Sequence, residues 1–280
     1  MIVPSSVSHP PMRCGSREFV WGVRTYLMGI INMTPDSFAG DGLGDDVEAA
    51  LRRAREMVAE GADILDVGGE STRPGHQPVS LEEELRRVVP AIQRLSRELP
   101  VPISIDTSKA EVARQCLEAG AAMVNDVWGL TRDPAMAAVV ARFGVPVVLM
   151  HNKEQAQYRD VVEEVIAWLR ERVGLARSAG VEAHNIIVDP GIGFGKTPAH
   201  NLEMLRRLAE LQAVGYPILL GTSRKFTIGK VLNLPPEQRV EGTAATVAIG
   251  VANGADIIRV HDVREMYRVA RVSDAIVRWR

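Results

Sequence analysis

Eight short apolar runs, rich in β-branched residues, recur along this chain, and each is followed by a segment with helical spacing. The runs occupy 26–31, 64–67, 103–105, 123–124, 145–150, 186–188, 217–220 and 257–260. Taken together they lack regular polar–apolar alternation, which is how strands covered on both faces read. No linker interrupts the succession of strand and helix. An α/β fold follows, and a single (β/α)8 TIM barrel fits eight such units in 280 residues. An open doubly wound sheet is the other arrangement that the alternation allows.

Local signals set the expected boundaries. Leu51, Ala54 and Val58 stripe a helix over 47–60, with Gly61 as its stop. Ser80 caps a long helix, and Glu83, three residues on, completes a capping box. Further helices are expected over 108–119, from Asp133-Pro134 onward, over 161–178, 199–213 and 240–253, and at the end of the chain. Residues 1–18, broken by prolines and serines, are expected as a flexible leader. Residues 19–280 form one barrel domain, opened by a short flap at 19–23.

Composition narrows the function classes. The formal net charge of −2 carries no footprint for nucleic acid or an anionic membrane. No apolar run is long enough to span a bilayer, and the N-terminus lacks the apolar core of a signal peptide, so a cytoplasmic protein is expected. Cys14 and Cys116 have neither metal nor redox spacing and read as inert thiols.

In a barrel, every strand's C-terminal end faces one mouth, where active sites lie. Asn32, Asp66, Asp106, Asn125, Asp126, His151, Asp189, Lys225, Arg259 and His261 all fall at or just beyond such ends. A single strand-end aspartate reads as a turn residue; polar residues at nearly every end read as a shared pocket. The acids and amides sit on the middle strands and Arg259 and His261 on the last, which suits a ligand with a hydrogen-bond-rich ring at one end and an anion at the other. The stretch DPGIGFGK at 189–196 concentrates this pattern. Its carboxylate stands above a loop with a glycine at every second position, where a flat ligand can approach backbone N–H groups. A tight turn with a capping aspartate is the plainer reading of the same residues.

The motifs GIINMTPDSF at 29–38, GGESTRPG at 68–75, SIDTSK at 104–109, VNDV at 124–127, LMH at 149–151, DPGIGFGK at 189–196, GTSRK at 221–225 and IIRVHD at 257–262 follow one another in the order of a known family. From about residue 25 to its end the chain resembles the dihydropteroate synthases of folate biosynthesis. The resemblance implies a (β/α)8 barrel, a homodimer, Mg²⁺, and a transferase. That enzyme condenses 6-hydroxymethyl-7,8-dihydropterin diphosphate with 4-aminobenzoate to give 7,8-dihydropteroate and diphosphate. It also implies roles. Asp106, Asn125, Asp189 and Lys225 match the pterin pocket; a carboxylate such as Asp189 can accept both parallel donors of the pterin edge. Asn32 matches the Mg²⁺ ligand, Arg259 and His261 the diphosphate pocket, and Thr72 and Arg73 the second loop, which closes over substrate. Asp36 and Phe38 lie on the first loop near the incoming amine, with Asp36 as a candidate base. Ser223 matches the aminobenzoate carboxylate site at a helix N-terminus. Met150 and Phe194 are expected as apolar pocket wall. His151 reads as structural, and Asp66 and Asp126 as loop ties or ligand contacts. Lys196 reads as a loop seat or a solvated charge. After LMH the chain reads NKEQAQY, where many members carry a glycine-proline segment. The expected chemistry is dissociative: diphosphate leaves first, with Asp106, Lys225, Arg259 and Asp36 in catalytic roles. Sulfonamides, which mimic 4-aminobenzoate, should inhibit. A pterin-binding methyltransferase barrel and a catalytically silent paralogue are the rival readings.

Overall fold

The computed structural model describes residues 9–34, 42–71 and 78–278. The chain opens with a hairpin, β1 (Met12–Cys14) and β2 (Arg17–Phe19), paired antiparallel with Met12 opposite Phe19. The barrel strands are β3 (Tyr26–Asn32), β4 (Ile64–Gly68), β5 (Ile103–Asp106), β6 (Met123–Asp126), β7 (Val147–Met150), β8 (Ile186–Asp189), β9 (Leu219–Leu220) and β10 (Ile257–Val260). Between and after them run α1 (Val47–Glu60), α2 (Leu81–Glu98), α3 (Ala110–Glu118), α4 (Met136–Phe143), α5 (Val161–Ser178), α6 (Pro198–Arg206), α7 (Phe226–Leu232), α8 (Val240–Ala252) and α9 (Val263–Val277).

All neighbouring barrel strands pair parallel, in the order β8-β7-β6-β5-β4-β3-β10-β9. The ring closes through a single bridge, Val188 to Ile218, where the Val188 N–H donates to the Pro217 carbonyl at 2.9 Å. The expected (β/α)8 barrel is therefore the fold, and the open sheet is not.

Two apolar layers hold it together. One lies between the strands and the helices, fed by inward stripes such as Leu51, Ala54 and Met57 on α1. The other fills the barrel's lower interior. There Met28, Ile64, Met123, Val148, Ile187 and Leu219, from near the starts of their strands, meet Met12, Cys14 and Phe19 of the hairpin. The hairpin is thus a plug for the N-terminal end, and burying a side chain such as Phe19 stabilises it by about 1.5–3 kcal/mol. This corrects the leader: the chain expected to stay loose through residue 18 is packed from Met12 onward. With the bottom sealed, the open end is the one where the strands finish.

The helix signals mostly hold. Asp46 accepts from the Ala49 N–H at 2.8 Å to start α1, and Ser80 accepts from the Glu83 N–H at 3.2 Å to start α2, but the expected capping box is only half made, since the Glu83 carboxylate pairs with Arg86 and Arg87. Three boundaries differ from expectation. The helix expected at Asp133 begins at Met136, because Asp133 spends its carboxylate on the Ala135 N–H at 3.0 Å and the Ala110 N–H at 2.8 Å, the latter opening α3. The segment 199–213 splits into α6 and a 3-10 stretch, Leu208–Val214. The short α7 is an element that sequence spacing did not show.

Candidate active site

A cavity of about 460 Å³ opens at the C-terminal ends of the strands. Asn32, Asp106, Ser223, Lys225, Arg259 and His261 all line it, together with Phe194 and Lys196 from the glycine loop. Asn125, Met150 and Asp189 sit at the same level, on the last turns of β6, β7 and β8, buried rather than lining the open volume. Asp36, Phe38, Thr72 and Arg73 lie outside the described residues.

The inward face of β10 supplies the centre. The Arg259 guanidinium donates from Nε to Asp66 Oδ2 at 2.6 Å and from Nη2 to Asp106 Oδ2 at 2.8 Å. Asn125 Nδ2 donates to the same Asp66 oxygen at 2.9 Å. Among the described residues, the second oxygens of Asp66 and Asp106 and the Ser104 hydroxyl are buried without a hydrogen-bond partner. Burial holds the Asp106 carboxyl above its usual range, with Arg259 pulling the other way and Asp66 adding to the rise. The side chain expected at the anion is thus seated on carboxylates beneath the cavity while still lining it.

Asp189 ends β8. Its Oδ1 accepts the Gly191 N–H at 2.7 Å, and burial raises its carboxyl against the opposing charge of Lys225. Lys225, the N-cap residue of α7, donates to the Ile192 carbonyl and lies 4.7 Å from the centre of the Phe194 ring. Burial pulls its ammonium down to about 8, with Asp189 opposing. Ser223, four-hundredths exposed (4%), lies just before α7; its hydroxyl accepts the His261 N–H at 3.2 Å and sits 2.8 Å from His261 Nδ1.

Under the glycine loop lies a pair that sequence reasoning left undecided. Lys196 Nζ donates to the Gly191 carbonyl at 3.1 Å and the Phe194 carbonyl at 3.2 Å, and lies 2.8 Å from His151 Nδ1. When Lys196 is an ammonium, which has no acceptor, the imidazole accepts at Nδ1 and carries its own proton on Nε2. Lys196 is the loop's seat, not a solvated charge. Burial lowers it to about 7, and burial together with the lysine lowers His151 to about 2.

Other supports had no sequence signal. Asn201 on α6 accepts the Gly193 N–H at 2.8 Å and donates to Thr227 at 2.9 Å. Glu84 looks like one of three solvated acids opening α2, yet it is buried, accepts from Thr107 at 2.7 Å and pairs with Lys109, which also holds Glu70 at the base of the second loop. Asp126 is a loop tie: it accepts the Trp128 and Leu130 N–H groups at 2.9 and 2.7 Å.

The site thus offers buried carboxylate acceptors beside half-buried cations that line one cavity at the barrel mouth. Comparisons with known proteins agree with that chemistry. The family profile described as pterin binding enzyme matches residues 28–261. A dihydropteroate synthase of Clostridium beijerinckii is 52% identical over 268 residues, covering 95% of this chain and 100% of its own. A Clostridium difficile dihydropteroate synthase structure, determined in the presence of pteroic acid, superposes with a TM-score of 0.88 at 50% identity, over 95% of this chain and 99% of that one. A Xanthomonas albilineans dihydropteroate synthase with 4-aminobenzoic acid gives a TM-score of 0.90 at 44% identity, over 96% and 98%. With the barrel and about half its residues shared along nearly its whole length, the chain belongs to the pterin-binding enzymes and, within them, to the dihydropteroate synthases.

Proposed function

We infer that the chain condenses 6-hydroxymethyl-7,8-dihydropterin diphosphate with 4-aminobenzoate, forming 7,8-dihydropteroate and releasing diphosphate. The observation that carries this is the placement at one set of strand ends of Asp106, Lys225, Arg259 and His261, which line the cavity, with Asn125 and Asp189 buried at the same level. Buried carboxylates accept the N–H groups of the pterin edge; cations that line the cavity meet an anion. The methyltransferase and silent-paralogue readings have no comparable support.

In this reading Asp189 and Asp106 bind the ring, and their negative charge lowers the energy of the cation left when diphosphate departs. Asn125 adds an amide that can both donate and accept. Lys225 bonds to the ring's acceptor side, and Phe194 walls the ring, with Met150 buried at the same level rather than lining the cavity. Arg259 and His261 hold the leaving diphosphate, and Thr72 and Arg73 keep the role that the resemblance implies, on the second loop over the substrate. Ser223 receives the aminobenzoate carboxylate, and Asp36 takes the amine proton or positions the amine. Sulfonamides fit the aminobenzoate place, since they too carry an aniline nitrogen opposite an acidic group.

Mg²⁺ fits the donor set. Asn32 brings one neutral amide oxygen to the cavity, and no cluster of three acidic, histidine or cysteine ligands occurs among the described residues. A hard cation that keeps its waters and takes phosphate oxygens needs little more from protein. Asn32 would hold it, and when bound it would offset the charge of the leaving group. The reading also includes a cytoplasmic enzyme and a homodimer. The latter is supported by the apolar outer faces of α7, α8 and α9, where Val231, Ile249, Val272 and Ile276 are exposed.

A diphosphate-release assay with both substrates tests the reaction. Release that depends on 4-aminobenzoate is expected; none above background with both substrates and Mg²⁺ present would refute it.

A further inference from the structure

We propose that Asp66 is a positioning residue that sets the pterin-facing amide and the diphosphate-facing guanidinium from one oxygen atom. The proposal rests on the reaction inferred above and deepens it. Asp66 is 0% exposed and stands one layer below the mouth, level with Ser104 rather than with Asp106, so it lies beneath the groups assigned to substrate. Yet its Oδ2 receives both Asn125 Nδ2, at 2.9 Å, and Arg259 Nε, at 2.6 Å.

Each bond removes a freedom that matters to the site. A carboxylate only accepts, so the Asn125 amide must turn its nitrogen to Asp66 and its oxygen away, as an acceptor for a ring N–H. Arg259 has five donors; Nε is held by Asp66 and one Nη2 proton by Asp106, which leaves the Nη1 edge for an anion in the cavity it lines. The two substrate-facing groups come from β6 and β10, on opposite sides of β4 in the sheet. Only an inward residue on the intervening wall can hold both, and Asp66 on β4 is that residue. The pairing of Asp66 with Ser104 across β4 and β5 places a second layer directly beneath Asp106, so the hub is part of the barrel interior rather than of a loop.

Two substitutions separate holding from filling. Asp66→Ala removes the shared acceptor. Asp66→Asn can keep an oxygen in the Oδ2 position for both donors, with its nitrogen in the place of Oδ1, which has no partner among the described residues. We expect Asp66→Ala to weaken calorimetric affinity for a pterin, and inhibition by inorganic diphosphate, each by roughly tenfold or more. The KM for 4-aminobenzoate should stay within about threefold, and Asp66→Asn should recover most of both losses. In an Asn125→Ala background, Asp66→Ala should add little further loss of pterin affinity while still weakening diphosphate. Full additivity on the pterin, or equal damage from both Asp66 variants, would overturn the proposal. If Asp66→Ala does not fold, ¹⁵N spectra of the unaltered protein decide. One arginine Nε–H, absent from Arg259→Lys, should exchange slowly with solvent; exchange as fast as at surface arginines overturns the hub. Unaltered protein that binds no pterin and releases no diphosphate would instead sink the reaction, and the Arg259 Nε–H measurement would still judge Asp66.

Discussion

The Asp189 side chain is tied only lightly into the fold. Its single protein hydrogen bond in the described site is to the Gly191 N–H, and its burial raises its carboxyl. An aspartate whose folded pKa is raised binds its proton more readily folded than unfolded. The fold therefore loses stability as pH rises from the ordinary value of 3.8 through the folded one. Asp189→Asn, which cannot titrate, should leave the ligand-free melting temperature at pH 8 equal to or above that of the parent. Pterin affinity should fall at least roughly a hundredfold, since a charge-assisted bond is lost and a donor is set against a donor. Calorimetry on both proteins checks this, and near-equal affinities would reduce Asp189 to a turn residue. His151 has the opposite sign. Its ring is held neutral down to about 2 by burial and by Lys196, with Lys153 adding to the fall, while Tyr158 and Trp168 pack around it. The unfolded chain takes up a proton below the ordinary 6.5, so stability present above that pH is lost as pH falls through the window toward 2. Urea titrations at pH 7, 6 and 5 should show a slope of about 1.4 kcal/mol per unit from this group below 6.5, flattened in His151→Asn. An unchanged slope in the variant would place the titration elsewhere. The placement of Asp189 and Arg259 at the barrel mouth was legible because strand-end position and charge are sequence properties. The Lys196–His151 pair was not: 45 residues separate its members, and nothing in GFGK tells a buried lysine from a solvated one.

At the scale of elements, strands and long helices could be read because each carries its own pattern. The Asp46 and Ser80 caps, the stripe on α1 and the apolar β8 need no partner to be recognised. The β1–β2 hairpin could not be read, since three-residue strands have too few positions for a period and gain their burial only from the barrel bottom. The short α7 escaped for a related reason: its packing depends on Arg239, which lies beyond its own C-terminus and would meet a side chain at Gly229. The glycine loop was legible as a loop but not as a fit. Gly191 has φ +69°, and a Cβ there would lie 1.9 Å from the His151 carbonyl oxygen. Gly191→Ala should therefore cost roughly 3 kcal/mol, the sum of left-handed strain and overpacking, and displace the Asp189 loop. Gly22→Ala provides the control: φ is +78°, but nothing lies within 4 Å of the added carbon. It should cost only about 1–2 kcal/mol. Urea unfolding of the two variants distinguishes them, and equal losses would mean that the His151 contact yields.

Among the described residues, the outer faces of α8 and α9 carry large apolar side chains that the fold leaves exposed. α8 is apolar on nearly every side, with Ile249 50% exposed, and on neighbouring α9 Val272 is 63% and Ile276 67% exposed. A helix without a polar face is normally covered. For the homodimer we propose, sedimentation should give twice the 30.6 kDa chain mass, and Ile276→Glu with Val272→Glu should halve it. A parent protein that sediments as a single chain would remove the dimer from the reading. The barrel itself is uneven around its circumference. Seven junctions are paired ladders, while β8 and β9 meet at one bridge, and β9 is two residues long. Asp189 stands on one bank of that junction and Lys225 on the other. A pterin gripped by both would be a temporary stave in the barrel wall, lending the cylinder a rung that the polypeptide does not supply. Hydrogen exchange can see this: the Val188 amide, bonded to Pro217 across the gap, should slow when a pterin binds. Slowing confined to the loops at the mouth would deny it. If the amide responds, each catalytic cycle also loosens and tightens the enzyme's own hoop, and product release becomes the moment at which the wall is weakest.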